Sequence, residues 1–357
     1  PGNQHVTPAK LNLASADVID AFMALDVARL WGDGSKVGAD GTQIDTWDDN
    51  LLAETSIRYG GYGGIAYRYI ADAYIALFSH FIPCGVWEAV FIFAGLLENA
   101  SEAVVPEEIH ADTQGQSLPA FGLAVLLGIE LLPRIRNWKD LIFYRAAADS
   151  RYSHIDSLFG TDEVIDWKLI ETHWVDLMRV VISIREGRIS SSALLRRLGN
   201  ESRKNRIYKA FRELGRAIRT IVLLRYVSEP ELRESITTIT NRVESFHNFS
   251  KWLSFGNAGV IADNDPDHME KIVKFNELLA NCVIFYNAAE LTVVLNQLAA
   301  EGVPVRGEDV AALSPYVTRH VLRFGDYVLD LTPPTSGVST HLELDAVDGS
   351  VNPPIEP

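Results

Sequence analysis

KVGADGTQI, residues 36–44, is the first of five short runs that decide how this chain folds. The others are GGIAYRYI (63–70), AYIALFSHFI (73–82), EEIHADT (107–113) and IELLPRI (129–135). All five are rich in β-branched or aromatic residues and bounded by glycine or charge, the composition of strands. Between the third and fourth, Val86, Val90, Phe93 and Leu97 recur at helical spacing, and that helix ends near Asn99. Pro119 opens a second helix and Gly128 closes it, between the fourth and fifth runs. The order strand-strand-strand-helix-strand-helix-strand predicts a mixed α/β sheet. Pro133 removes a ladder donor from the fifth run, so that strand belongs at the sheet edge.

Upstream of this core, residues 15–30 carry an amphipathic helical pattern with Ser15 as N-cap. After about Lys139 strand signals vanish, and helices are expected over 166–186, 200–226, 229–255, 266–301 and 307–323. Ser228 and Glu231 spell a capping box around Pro230, with Gly256 as the stop, and Asp265-Pro266 opens the next helix. The tail from Leu331 has five prolines and no Lys or Arg, a composition that predicts a disordered or loosely draped segment. The expected units are a lead helix (1–30), a sheet core (31–138) and a helical insertion (139–228). After them come one long helix completing the core (229–256), C-terminal helices (257–330) and the tail (331–357).

With 357 residues, 47% of them apolar, the chain supplies a large core and two or three cooperating units. Pro1 in first place, with no cationic and apolar leader behind it, reads as a fragment or processed product without a signal peptide. The apolar run from Ile75 to Leu97 contains His80, Pro83 and Glu88, so a strand and a helix are expected there, and no membrane partner. Cys84 and Cys282 lie far apart and outside any CxxC pattern, which suits reduced thiols in a cytoplasmic protein. A net charge of −15 argues against nonspecific coating of DNA. Yet Arg196 to Arg225 holds ten Lys or Arg against Glu201 and Glu213, a local excess of +8 that leaves −23 for the rest. Such a stretch is where an acidic body would meet phosphate, although a solvated helix face accounts for the same charges.

Three acids are candidates for chemistry. Asp40 lies in an Asp-Gly pair, first of all a turn signal, as Asp33-Gly34 upstream also is. Its DGT triplet matches the end of a DxDGT phosphatase motif, but Gly38 stands where that chemistry needs its nucleophile. Asp112 follows a run in which Ile109 and Ala111 alternate with His110 and Asp112, so the last two share one strand face. Asp112 can cap the following helix or ligate a metal; His110 is more readily a satisfied neighbour, since magnesium prefers oxygen. Glu244 lies on the 229–255 helix beside an apolar stripe of Ile236, Ile239, Val243, Phe246 and Leu253. Asn241, Glu244, Asn248 and Lys251 form its polar flank, solvated or functional.

An Asp on the first strand, an Asp on the fourth and an acid on a helix after the fifth is the arrangement of the ribonuclease-H-like fold. Strands one and four are neighbours there, and the carboxylates converge. Converging carboxylates repel unless cations sit between them. Two divalent ions roughly 3.5–4 Å apart can then activate an attacking oxygen and steady a leaving one on a phosphodiester. RYGGYGG (58–64) lacks the Gly-Lys-Ser/Thr of a phosphate loop and reads as a hairpin turn. PRIRNWKD (133–140) sets Arg134, Arg136 and Lys139 around Trp138, a pattern suited to a DNA strand or to an ordinary surface cluster.

Longer stretches carry a resemblance. WGDGSKVGADGTQIDTWDDN onward to Val90, IHADTQGQS (109–117), LLPRIRNWKD (131–140), LGNESRKNRIYKAFRELGRAIRTIVLLRY (198–226) and GVIADNDP (259–266) are similar to the Tn-three family of replicative transposases. The likeness runs from about Trp31 to about Tyr327. It implies a DDE triad of Asp40, Asp112 and Glu244 (in NRVE) holding two Mg2+ ions, with Mn2+ as a substitute. It also implies cleavage at transposon ends and transfer of the 3′-hydroxyl into target DNA through a cointegrate. DNA would be the partner of a homodimer working in the bacterial cytoplasm at the nucleoid. Arg134, Arg136, Lys139, Arg203, Lys204 and Arg206 are the expected DNA contacts. The family commonly follows its glutamate with Ala-Tyr-Asn, where this chain has Ser245, Phe246 and His247. A nuclease of the same fold without strand transfer, or an inactive binding remnant, are the alternatives.

Overall fold

A computed structural model describes residues 5–47, 50, 53–56, 61–83, 91–191, 193–194, 206–254, 260–262, 264–326, 328, 330, 332 and 337–344. Its centre is a mixed sheet of β1 (Lys36–Asp45), β2 (Glu54–Ser56), β3 (Gly61–Ala71), β4 (Ala76–Pro83), β5 (Glu108–Ala111) and β6 (Glu130–Pro133). The hydrogen-bonded order is β2-β3-β1-β5-β6, with β4 also paired to β3. β3 runs antiparallel to β1 and β4, whereas β5 is parallel to β1 and β6 to β5. All five runs become strands, and the Pro133 strand stands at the edge as expected. β2 and β3 pair antiparallel from Ser56↔Gly61, in keeping with the hairpin expected there, although residues 57–60 lie outside the described set.

Helices cover this sheet. α1 is Pro8–Met23, α2 Asp26–Trp31, α3 Ala94–Leu97 and α4 Leu118–Leu127; α5 is Trp167–Arg185 and α6 Arg206–Ser228. α7 is Pro230–Leu253, α8 Pro266–Ala300 and α9 Gly307–Ala311. The α4 signals hold: Ser117 accepts from the Ala120 N–H, and Gly128 takes the left-handed conformation at φ 76° that lets a helix stop. The start of the helix expected from Val86, and the start of the one expected from residue 200, lie outside the described residues.

Several local expectations fail for identifiable reasons. The lead helix starts at Pro8 under Thr7, which accepts from Lys10 N, so Ser15 is buried inside it, and the helix breaks before α2. The capping box does not form, because α6 continues through Ser228, whose Oγ donates back to Leu224 O. Only Gly307–Ala311 of the 307–323 helix exists, since Pro315 has no N–H to give. Asn287 Nδ2 instead donates to the Pro315 and Val317 carbonyls. A second, two-stranded parallel sheet, β7 (Phe143–Arg145) and β8 (Phe159–Val164), stands where no strand was expected. Arg145 fastens it: its guanidinium donates to the carbonyls of Ser150, Asp156, Phe159 and Gly160 and meets Asp156 Oδ1 at 2.5 Å.

α4 and α6 cross at van der Waals range because each brings a glycine to the other's backbone. A Cβ at Gly215 would stand 1.8 Å from Leu118 O, and one at Gly122 2.4 Å from Phe211 O. α8 is long and apolar enough to cross a membrane by composition, yet it packs on α1 and β4 and buries Lys274, Glu277 and Asn281. Its polar residues complete the open edge of β4. Asn281 accepts from Ala76 N and donates to Ala76 O (3.1 and 2.8 Å), and Lys274 donates to Ser79 O at 2.8 Å. Glu270 accepts from Phe81 N at 2.6 Å.

The entry to β1 is clamped by buried polar groups. Asp72 accepts from Gly34 N at 2.9 Å, and Arg242 donates to the carbonyls of Trp31 and Asp72 while lying over the Tyr74 ring. Burial pushes the Asp72 carboxyl up to about 6, against the opposing pull of the Gly34 N–H. Between the ordinary value near 3.8 and 6 the folded chain therefore holds this proton more tightly than the unfolded chain. Raising pH through that window removes stability, on the order of 2 kcal/mol once complete. Asp72→Asn keeps an oxygen for Gly34 and should flatten this part of the pH profile, making the protein more stable at pH 7. Urea midpoints from pH 4 to 7 test it; parallel profiles for both proteins would refute the assignment.

Candidate active site

β1 and β5 pair in parallel from Lys36↔Glu108 to Ala39↔Ala111; Asp40 follows the last pair on β1, and Asp112 lies one residue past the end of β5. Neighbouring strands lie about 4.8 Å apart. Gly38 and Asp40, two residues apart, share a sheet face. That face is the one α7 covers, since a Cβ at Gly38 would lie 2.3 Å from Val243 Cγ2 and 3.0 Å from Ile239 Cγ2. Asp40 thus projects on the α7 side, half-buried, and its Oδ1 accepts from Gly41 N at 2.8 Å.

Glu244 follows Val243 on α7 and is exposed. One turn earlier, Asn241 Oδ1 accepts from Arg134 Nη2 at 3.3 Å. Arg134 comes directly after β6, where its N–H donates to Ala111 O at 2.8 Å and its carbonyl accepts from Gln116 Nε2. The polar flank of α7 is in this way moored to the segment just before Asp112. His110 is fully buried, with Nε2 3.3 Å from Glu108 Oε2, and Glu108 also pairs with Lys36 at 3.4 Å. The His110 hydrogen bond holds the Glu108 carboxyl below its usual range.

Oxygen donors of this kind fit a hard divalent ion. The register sets the strands that lead to Asp40 and Asp112 side by side, and α7 covers the Asp40 face. Among the described residues, however, no three His, Cys, Asp or Glu side chains form a cluster that could hold a metal ion. The strand pairing sets β1 beside β5, while Glu244 is exposed on α7.

Arg136 and Lys139 are exposed around Asn137, a non-glycine residue at φ 56°, and Trp138 beside them packs its ring 5.6 Å from Tyr226. Arg206 is exposed at the start of α6, while Arg203 and Lys204 lie outside the described residues. The basic stretch is not all surface. Arg216 and Arg219 lie over the Tyr144 ring at 4.7 and 5.8 Å, and Arg225 pairs with Glu130 and Glu229.

Sequence reasoning passed over Arg68, the residue directly opposite Asp40 on β3. It is buried, donates to Asn276 Oδ1 at 3.3 Å and lies over the Phe246 ring. The signal was present, as an arginine inside the apolar strand GGIAYRYI needs a reason to be there. His247 is its neighbour; burial and then the Arg68 charge hold that imidazole well below its usual range, hence neutral.

Comparison with known proteins identifies relatives over most of the chain. The transposase for transposon gamma-delta of Escherichia coli (strain K12) is 30% identical over 320 residues, 89% of this chain and 32% of that protein. Its counterpart for transposon Tn1546 of Enterococcus faecium is 28% identical, over 89% of this chain and 32% of that protein. For transposon Tn501 of Pseudomonas aeruginosa the figures are 28%, 91% and 33%. The chain thus spans about a third of the length of the curated relatives it matches. The model of the family described as Tn3 transposase DDE domain matches residues 2–327, and this chain belongs to that family.

Proposed function

We propose that this chain is the catalytic part of a DNA transposase, a polynucleotidyl transferase with a ribonuclease-H-like core. The observation that supports the reading is the parallel pairing of β1 with β5, which carries Asp40 on β1 and ends one residue before Asp112, on the face that α7 covers. The strand order, with β1 between β3 and β5, supports the fold assignment. Asp40, Asp112 and Glu244 would hold two magnesium ions, which when bound supply the Lewis acidity for phosphodiester chemistry. The chain's own part is alignment: Arg134 moors the α7 flank, and Arg136 and Lys139 meet the DNA backbone. Arg203, Lys204 and Arg206 add phosphate contacts from the basic stretch. Water cuts at a transposon end, and the freed 3′-hydroxyl attacks target DNA in the same site. Two copies act on two ends, in the bacterial cytoplasm, and joining proceeds by the replicative, cointegrate route.

A strand-transfer assay tests this. The full-length protein is given a pre-cut end with a free 3′-hydroxyl, a target duplex and magnesium. A joined product that needs the metal and disappears in Asp40→Asn is expected. Hydrolysis without joining would make the protein a nuclease. No metal-dependent reaction at all would leave a binding remnant.

A further inference from the structure

A cavity of about 560 Å³ lies between β1, β3, α7 and α8. Ligand sites span about 300–1,000 Å³. Its β1 wall runs from Thr42 to Asp45, starting two residues beyond Asp40. Arg68, His247 and Lys251 bring nitrogen to it, and Ile272, Val273 and Phe275 make an apolar wall. Arg68 is 3% exposed, yet among the described residues its Nε has no hydrogen-bond partner, and the buried His247 Nε2 has none either. Buried polar atoms of this sort are costly unless a ligand or water meets them. The acid that attracts Arg68 is Glu277, which burial pushes toward its neutral form and which Lys274 attracts as well. Among the described residues, Asp45 is the one carboxylate lining the cavity, and it is exposed to solvent.

Cationic nitrogen beside a flat apolar wall and an exposed aromatic matches one ligand chemistry, an anion carrying a planar ring. We propose that the cavity receives a single unpaired nucleotide of the DNA strand adjoining the reacting phosphodiester. Its base would lie against Phe275 and the aliphatic wall, and its phosphate on Arg68 and Lys251. The inference rests on Asp40 and Asp112 being the reacting centre, because Arg68 stands directly across from Asp40. A paired base cannot enter a slot of this size, so the nucleotide must leave its stack, and the contacts in the cavity offset that cost. His247 lines the same wall and would set which base is preferred.

The test uses the full-length protein and transposon-end duplexes carrying 2-aminopurine at successive positions around the cleavage site. With calcium in place of magnesium, emission should depart from its duplex value at one position only. That change should vanish in Phe275→Ala and in Lys251→Ala, two exposed positions whose variants should fold. With magnesium both variants should cleave a fully paired end about tenfold more slowly, in line with the loss of one stacked base. A mismatch at the responsive position should restore them. His247→Asn should change the order of cleavage rates among the four bases at that position. Flat emission at every position, or equal rates for variants and wild type on every duplex, would overturn the proposal while leaving strand transfer intact. Position-specific emission without any metal-dependent cleavage would keep the cavity and remove the transposase reading. Saturable binding of a free deoxynucleoside monophosphate with flat duplex emission would make this a small-molecule site and also overturn it.

Discussion

Glu244→Gln should leave the protein folded and reduce both end cleavage and strand transfer by on the order of 10³-fold. The exchange keeps the shape of an exposed side chain on α7 and removes one negative charge. Exposed substitutions of this kind ordinarily change stability by about 0.5 kcal/mol or less. If Glu244 closes onto the ions held by Asp40 and Asp112, losing its charge forfeits about 4 kcal/mol of transition-state stabilisation. Both reactions share the site, so both must fall together. Thermal melts with and without magnesium, beside cleavage and joining assays on the full-length protein, make the measurement. Wild-type rates would return Glu244 to a solvated flank, and Asp263 or Asp265 would become the candidate third ligand.

Gly215→Ala should cost about 3 kcal/mol or more, although helix propensity alone predicts a gain of about 1 kcal/mol. The new methyl would stand 1.8 Å from the Leu118 carbonyl oxygen, 2.6 Å from its carbon and 3.1 Å from its Cα. Those atoms belong to backbone at the start of α4, and no side-chain rotation relieves them. α6 must then move away from α4, opening contacts around Phe121, Phe211 and Leu214, all buried. A urea titration reads the loss directly. An unchanged or higher midpoint would mean that the helices do not cross at this distance.

Most of the sheet was legible because each strand announces itself by composition and each break by glycine, proline or charge. Reading the first and fourth runs as strands one and four of such a sheet was enough to predict that β1 and β5 would pair in parallel. What escaped depends on contacts distant in sequence. β8 is polar along Gly160–Glu163, and nothing local marks it as a strand until Arg145 gathers its carbonyls. The charge count over Arg196–Arg225 could not reveal that Arg216 and Arg219 turn onto Tyr144. Ser228 and Glu231 had the right spacing for a cap, but the preceding helix claimed the serine first. Arg68 was hidden differently: its partners Asn276 and Phe246 lie 208 and 178 residues away.

The stripe Glu270, Lys274, Asn281 on α8 does for β4 what another strand would do. An outer strand with free amides and carbonyls is adhesive, and unguarded ones recruit strands from other molecules. Here Ala76, Ser79 and Phe81 already have their bonds, so this margin of the sheet is shut to newcomers. A pair of such molecules brought together on DNA would have to meet through helical or loop surfaces, or along the end strands β2 and β6, the latter with Pro133 offering no amide. The same stripe makes α8 unfit for lipid despite its hydropathy. Neutralising the stripe, as in Lys274→Met with Asn281→Leu, would strip the guard and turn a well-behaved fold toward fibrous association.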